Sequence, residues 1–408
     1  MKILYSEKTI GRFTIGLPVV VWFTATLLAA LLEISRGYGE INNFLIYRGV
    51  YEHTLQQVHL YLSYPSEYAD SNHYGPLFSI LIAPFTWLPV AAGCLLWCLA
   101  NAWVLFYALK QLNLSTTQFY TVLLICCIEQ MTATHSVQFN PMLAGSMLLA
   151  YTYVRDNKIV PATFLIAAGF LIKLYSVAGL VLFLFTDKKK LFVFSFIGWL
   201  ILLVALPMLI SSPDFIIQSY TDWFHSLIEK NETNIDISVA SGMQDISAGG
   251  MIRRVFDMKN LPNYFITIPA ALLLLFPLLR YKQFAEKKFT LTYYCMLLVA
   301  VVIFSSSAES PTYIIAVAGI AVWFAIHLPL NSRQVLLLLF LLLFTILSPT
   351  DLFPRTIRDG FFVKYSMKAL PCFIIWLIMI KELIRGKYSL PQTTNEYEKE
   401  NLYRHSGL

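Results

Sequence analysis

Charge is what this chain has least of. Lysine, arginine, aspartate and glutamate make up 13% of its 408 residues, while hydrophobic types make up 57%. A soluble domain carries about a quarter charged residues, so a mean hydropathy of +0.63 excludes a water-soluble globule and leaves a polytopic membrane protein. Motifs are equally sparse. There is no Walker sequence, no G-x-G-x-x-G, no H-E-x-x-H and no D-x-D pair in the first polar loop, so neither a nucleotide cofactor nor a metal is expected. The six cysteines, Cys94, Cys98, Cys126, Cys127, Cys295 and Cys372, lie in apolar runs without a C-x-x-C pair and read as small core residues. The net charge of +6 comes from basic residues in short loops beside apolar runs. Membrane topology accounts for them, and a nucleic-acid partner is excluded.

What is abundant is apolar sequence of membrane-crossing length. Runs near 13–33, 92–109, 117–133, 139–154, 191–211, 262–280, 289–305, 312–328, 334–348 and 366–384 each suit a span. The first exceeds a signal-peptide core and stays as a transmembrane helix. The run 159–186 is too long for one crossing and carries Lys173 in its middle, so it divides into 159–173 and 174–186. The fold class is therefore all-α, with about twelve spans. The fourteen residues of 76–89, PLFSILIAPFTWLP, are too few and are bracketed by prolines. They predict an interfacial helix.

Charge distribution tests that assignment. With 76–89 not crossing and the N-terminus inside, nineteen of the 30 basic residues fall in cytoplasmic segments, including Lys188 to Lys190, and ten fall outside. The loops 34–91, 212–261 and 349–365 then share the extracytoplasmic side, together with the turns at Thr134 to Pro141, Lys173 and Ser305 to Pro311. Residues 1–387 form one transmembrane domain, and 388–408 reads as a disordered cytoplasmic tail.

The chemistry is expected on that loop-bearing side. The densest polar stretch is 36–76, which holds Glu40, Asn42, Asn43, Asp70, Asn72, His73 and Tyr74. Such groups beside an apolar wall suit sugar hydroxyls. Glu40, just past the first span, is the chosen general base, with Asp70 and Glu309 in reserve. A solvated loop acid is the plainer reading of Glu40, and a helix cap that of Glu309 before Pro311. Lys173 suits a lipid phosphate or else snorkels to the interface. Gln138 and Asn140 either bind sugar or cap the helix at Pro141. In GMQDISAGGMIRRVF, Gln244, Arg253 and Arg254 suit a phosphate, or equally an anionic head group.

Taken together, NFLIYRGV, HYGPLFSILIAPFTWLP, CLLWCLANAWVLF, QFNP and IKLYS give a chain that resembles the polyprenyl-phosphate-mannose-dependent mannosyltransferases, glycosyltransferase family 87. The resemblance spans most of residues 10 to 330. It implies a C-type membrane fold with interfacial helices in the first outer loop. It also implies inverting transfer of a hexose, mannose by analogy, from a polyprenyl phosphate to a hydroxyl of a glycan or glycolipid acceptor. One acid in the first outer loop serves as base, and membrane lipid surrounds the enzyme in the cell membrane. The family pattern commonly places aspartate before the phenylalanine of that loop, where this chain has Asn43 before Phe44. Glu40, one helical turn earlier, is the nearest acid. The rival readings are a transporter or flippase for lipid-linked sugars and an inactive family member. A transporter of this size usually shows repeat symmetry, and none is visible here.

Overall fold

The computed structural model describes residues 7–10, 13–236, 238, 242–259 and 261–386; the tail 388–408 lies outside the described residues. A short antiparallel ladder comes first, with β1 (Glu7–Ile10) paired to β2 (Phe13–Gly16). Among the described residues, every regular element after it is helical. The first crossing, α1 (Leu17–Arg36), starts later than the apolar run does, because 13–16 is spent on the strand and Pro18 sits in the helix's first turn, where its missing N–H costs nothing. Two short helices follow on one side, α2 (Asn42–Gln56) and α3 (Phe78–Thr86). Nine residues of α-helix reach about 14 Å, half the hydrocarbon thickness, so α3 does not cross.

The chain then crosses repeatedly through α4 (Val90–Lys110), α5 (Thr116–His135), α6 (Asn140–Arg155) and α7 (Ile159–Ile172), and returns through a 3-10 segment, Leu174–Phe185. Next comes α8 (Lys189–Ala205), prolonged by a 3-10 turn, then the amphipathic α9 (Pro213–Ile235) and the short α10 (Ala248–Val255). The final crossings are α11 (Tyr264–Leu275, extended through Gln283), α12 (Lys287–Ile303), α13 (Tyr313–Ala325) and α14 (Ser332–Leu341, extended to Ile346). After the small α15 (Arg355–Ile357), α16 (Ala369–Arg385) closes the bundle. Setting aside α2, α3, α9, α10 and α15, twelve helical segments run between the two ends among the described residues. Four of them, α1, α4, α8 with its extension and α11 with its extension, are long and apolar enough to qualify as spans individually. The rest are shorter or less apolar and cross as part of the bundle.

Hydrogen bonds define two ends. At one, Ser212 reaches Gln57 at 2.9 Å, Trp223 reaches the His73 carbonyl at 3.0 Å, and Asn234 reaches the Ser306 carbonyl at 3.1 Å. These bonds gather the loops 34–91 and 212–261 with the Ser305–Pro311 turn. At the other, Arg155 holds the carbonyls of Gln111 and Leu112, Lys188 holds that of Asn157, and Arg280 holds that of Leu383. The basic short turns are gathered there.

The core centres on α13, every residue of which is buried. Close helix approach depends on small residues, as membrane helices require: a Cβ on Gly145 of α6 would stand 2.8 Å from the Val104 carbonyl of α4. All six cysteines are buried and unbridged.

Candidate active site

An aromatic stack seats the first loop on the bundle. Tyr47 of α2 meets Tyr74, Phe78 of α3 and Trp97 of α4 edge-on, with centroids 5.3, 4.9 and 5.6 Å apart, and Phe139 lies flat against Trp97 at 6.1 Å. Beyond burying large area, such ring pairs contribute about 0.5–1.5 kcal/mol each. The stretch around Asp70 is tied down backbone group by backbone group. Asn42 exchanges two hydrogen bonds with Ala69, at 2.6 and 2.8 Å; Asn72 folds back on Tyr74; and the Gly75 N–H donates to the Ile172 carbonyl at 3.1 Å. Only glycine fits at 75, because a Cβ there would lie 2.0 Å from the Leu171 carbonyl oxygen. The HYGP turn thereby sits directly against the end of α7, one residue from Lys173.

These contacts enclose a cavity of about 620 Å³ at the loop-bearing end. Its polar wall holds Asn43, Asp70, His73, Tyr74, Gln138 and Lys173 from the loop and helix ends. Tyr175, Lys230, Asn231, Ser305, Ser306 and Glu309 complete it. An apolar wall faces this set, made by Leu174 and Val177 of the 3-10 segment and by Val301 and Phe304 at the end of α12.

Hydrogen bonds run unbroken through the polar wall. The Tyr47 and Tyr74 hydroxyls lie 3.2 Å apart, Tyr74 donates to Gln138 Oε1 at 3.2 Å, and Asn140 Nδ2 approaches the same oxygen at 3.4 Å. Lys173 Nζ then donates to Asn140 Oδ1 at 2.8 Å. The ammonium also lies 5.6 Å from the Tyr74 ring centre and 5.3 Å from that of Tyr175, within cation–π range. Lys173 is in extended conformation between two crossings, so it stands at the turn that joins them, on the loop-bearing end. Burial pulls its ammonium down to about 8, against the opposing pull of Glu309.

Two carboxylates share this space with two cations. Glu309 precedes the 3-10 turn Ser310–Thr312, where its carbonyl accepts the Thr312 N–H at 3.0 Å and the Thr312 hydroxyl accepts the Glu309 N–H at 3.3 Å. This is the cap foreseen for it, yet the residue lines the cavity as well. Burial raises the Glu309 carboxyl, partly offset by Lys173 and Lys230. Asp70 is exposed, with a left-handed φ of 75°, a conformation that aspartate tolerates better than most side chains. His73 Nε2 stands 4.0 Å from its carboxylate, and neither ring nitrogen has a hydrogen-bond partner among the described residues. Burial and the nearby Lys230 push the His73 imidazole down to about 4, so it is neutral at pH 7.

Four expected site residues lie elsewhere. Glu40 is exposed in the turn between α1 and α2 and does not line the cavity. The turn places it before α2 begins at Asn42, so no helical register brings it onto the face of Asn43. Arg253 is fully buried and occupied: it binds Asp245 at 2.6 and 3.0 Å and the Leu261 carbonyl at 2.8 Å. Arg254 binds the main-chain oxygens of Asp245 and Gln244 and the Ser366 hydroxyl. Their counter-charge comes from their own loop, so the pair fastens that loop to the start of α16. Gln244 contributes its carbonyl to this fastening and does not line the cavity.

The contributors that went unread in the sequence include Tyr175 and the α9 residues Trp223, Leu227, Lys230 and Asn231. Trp223, Leu227, Lys230 and Asn231 recur at helical spacing on the cavity face of α9. That period was a usable signal.

The sequence model of glycosyltransferase family 87 matches residues 72–349, about two thirds of the chain. The chain belongs to this family. It is a membrane glycosyltransferase, and the matched region contains His73, Gln138, Lys173, Lys230 and Glu309. Among solved structures, one similar chain is ArnT from Cupriavidus metallidurans bound to undecaprenyl phosphate. It is 12% identical, with a TM-score of 0.37, over 90% of this chain and 76% of that one. No curated protein matches.

Proposed function

We propose that this family 87 enzyme transfers a hexose, with mannose the first candidate, from a polyprenyl-phosphate sugar to an acceptor hydroxyl with inversion at the anomeric carbon. One observation carries the reading: a single cavity sets a cation and carboxylates among amides and phenols, against an apolar wall that opens from the membrane-spanning part. A lipid-linked phosphosugar has that same division into anionic head, polyhydroxyl ring and apolar tail. The density of basic residues at the opposite end supports an extracytoplasmic position for the cavity.

In this mechanism the acceptor oxygen bonds to the anomeric carbon as the bond from that carbon to the phosphate oxygen breaks on the opposite face. The leaving phosphate takes the electron pair, and Lys173 stabilises the charge that develops. The acceptor proton goes to Glu309, which succeeds Glu40 as the proposed base because it lines the cavity, sits on a hydrogen-bonded turn, and has its proton affinity raised by burial. Tyr74, Gln138, Asn43 and the neutral His73 are placed to bind sugar hydroxyls.

The test is transfer from a panel of polyprenyl-phosphate sugars by purified, detergent-solubilised enzyme. Glu309→Gln should lower turnover about 10²–10⁴-fold, while Glu40→Gln leaves it unchanged. If Asp70→Asn abolishes turnover and Glu309→Gln does not, the base is Asp70. Activity in all three variants would remove the single-carboxylate mechanism.

A further inference from the structure

One buried ion pair plays no part in the site described above. Glu129, in an apolar stretch of α5, and Lys368, at the head of α16, meet at 2.7 Å with side chains 0% and 4% exposed. Removing two charges from water costs several kcal/mol per ion unless geometry and further hydrogen bonds compensate. Here the compensation is directed. Lys368 Nζ donates a second bond to Ser310 Oγ at 3.0 Å and sits 5.0 Å over the Tyr313 ring, while its carbonyl accepts from Thr345 at 2.8 Å.

Ser310 is the residue after Glu309. The pair therefore holds the turn that presents Glu309 to the cavity, from the side opposite the cavity. Other bonds to this turn come from Asn140, which donates to the Pro311 carbonyl at 3.1 Å, and from the Ile246 N–H, which donates to Ala308 at 2.8 Å. Among these holds, only the Lys368 contact carries charge.

We propose that Glu129 and Lys368 are positioning residues for Glu309: Lys368 anchors the turn through Ser310, and Glu129 cancels the lysine's charge so that the carboxylate's proton affinity stays in the working range. This rests on Glu309 being the base. The charged and titratable groups facing Glu309 are Lys173, Lys230 and Asp70, with Tyr47, Tyr74 and Tyr175 around them. Cys126, Cys372 and Tyr313 surround the pair itself.

The measurement is the pH profile of kcat/KM for the polyprenyl-phosphate donor. Glu129→Gln leaves Lys368 uncompensated and favours ionised Glu309, so the acid limb should move down. Lys368→Met releases the turn at Ser310 and leaves Glu129 to take up a proton in its apolar site, so turnover should fall while the limb stays near the wild-type position. The Glu129→Gln shift should be up to about one pH unit, the size of effect one uncompensated charge near the turn has on a buried carboxyl. The double variant should return to the wild-type limb, and Lys368→Arg should keep it. If Lys368→Met fails to fold because Glu129 is left unpaired, the Glu129→Gln and double variants carry the test.

Equal limbs in all folded variants, with activity falling only as thermal stability falls, would make the pair merely structural and overturn the proposal. An inactive Glu309→Gln enzyme alongside unmoved limbs rejects the pair's role and leaves the base standing. Normal turnover in Glu309→Gln instead rejects the base and, with it, this role for the pair.

Discussion

Replacing Lys173 by methionine keeps the side chain's length and removes its charge. Its ammonium spends one hydrogen bond on Asn140, at 2.8 Å, and has two more N–H groups to offer a phosphate. A hydrogen bond to a charged partner contributes about 1.5–3 kcal/mol, so the donor's Kd should rise about 10–150-fold in Lys173→Met. A second signature separates this role from general disruption. Burial pulls the ammonium down to about 8, while the phosphodiester keeps one negative charge at all neutral and alkaline pH. Donor affinity in the wild type should therefore hold below pH 8 and decline above it, by up to about tenfold per pH unit, until it meets the flat line of the methionine variant. Lys173→Arg, charged throughout, should bind without that decline. Equilibrium binding of a non-transferable polyprenyl-phosphate sugar between pH 6.5 and 9.5 reads all three curves. Equal affinity and identical pH dependence for wild type and Lys173→Met would return the residue to a snorkelling role.

Arg253→Met should cost about 3–5 kcal/mol of stability by leaving Asp245 buried without its partner, visible as a lowered Tm, with the donor Kd of the folded fraction unchanged. Gly75→Ala should cost about 1–3 kcal/mol by overpacking against the Leu171 carbonyl and should weaken donor binding, since it pushes Tyr74 off Lys173; wild-type affinity would mean the turn does not set that contact. Cysteines placed at the exposed positions Tyr38 and Lys190 should label from opposite sides of sealed vesicles, with low background because the six native thiols are buried. Labelling of both from one side would refute the orientation that makes the cavity extracytoplasmic.

The helical crossings were legible in the sequence because membrane spans announce themselves by length and apolarity, and the failure of 76–89 to cross followed from its fourteen residues. The cavity was legible in part for a related reason. Polar residues stranded beside spans, such as Gln138, Lys173 and Glu309, have few places to go. Glu40, Arg253 and Arg254 misled because proximity in sequence says nothing about which way a turn faces or whether a loop carries its own counter-charge. Asp245, eight residues before Arg253, absorbs that arginine completely, and only tertiary structure reveals it. Glu129 and Lys368 are 239 residues apart, beyond any local pattern. Neither was singled out from the apolar run that contains it, 117–133 or 366–384.

The 3-10 segment Leu174–Phe185 changes how the protein meets a long hydrocarbon. Twelve residues wound as an α-helix would extend about 18 Å, and at the 3-10 rise they extend about 24 Å, most of the hydrocarbon thickness from a very short stretch of chain. The tighter winding also has three residues per turn, so side chains at i and i+3 eclipse. Leu174, Val177, Leu180 and Phe183 therefore stack in a straight file parallel to the axis, starting at the cavity's apolar wall. An α-helix would present a row that drifts around the axis instead. A linear isoprenoid tail whose head lay in the cavity would run beside a straight edge, and a polar residue anywhere along that file would interrupt it for the whole length below.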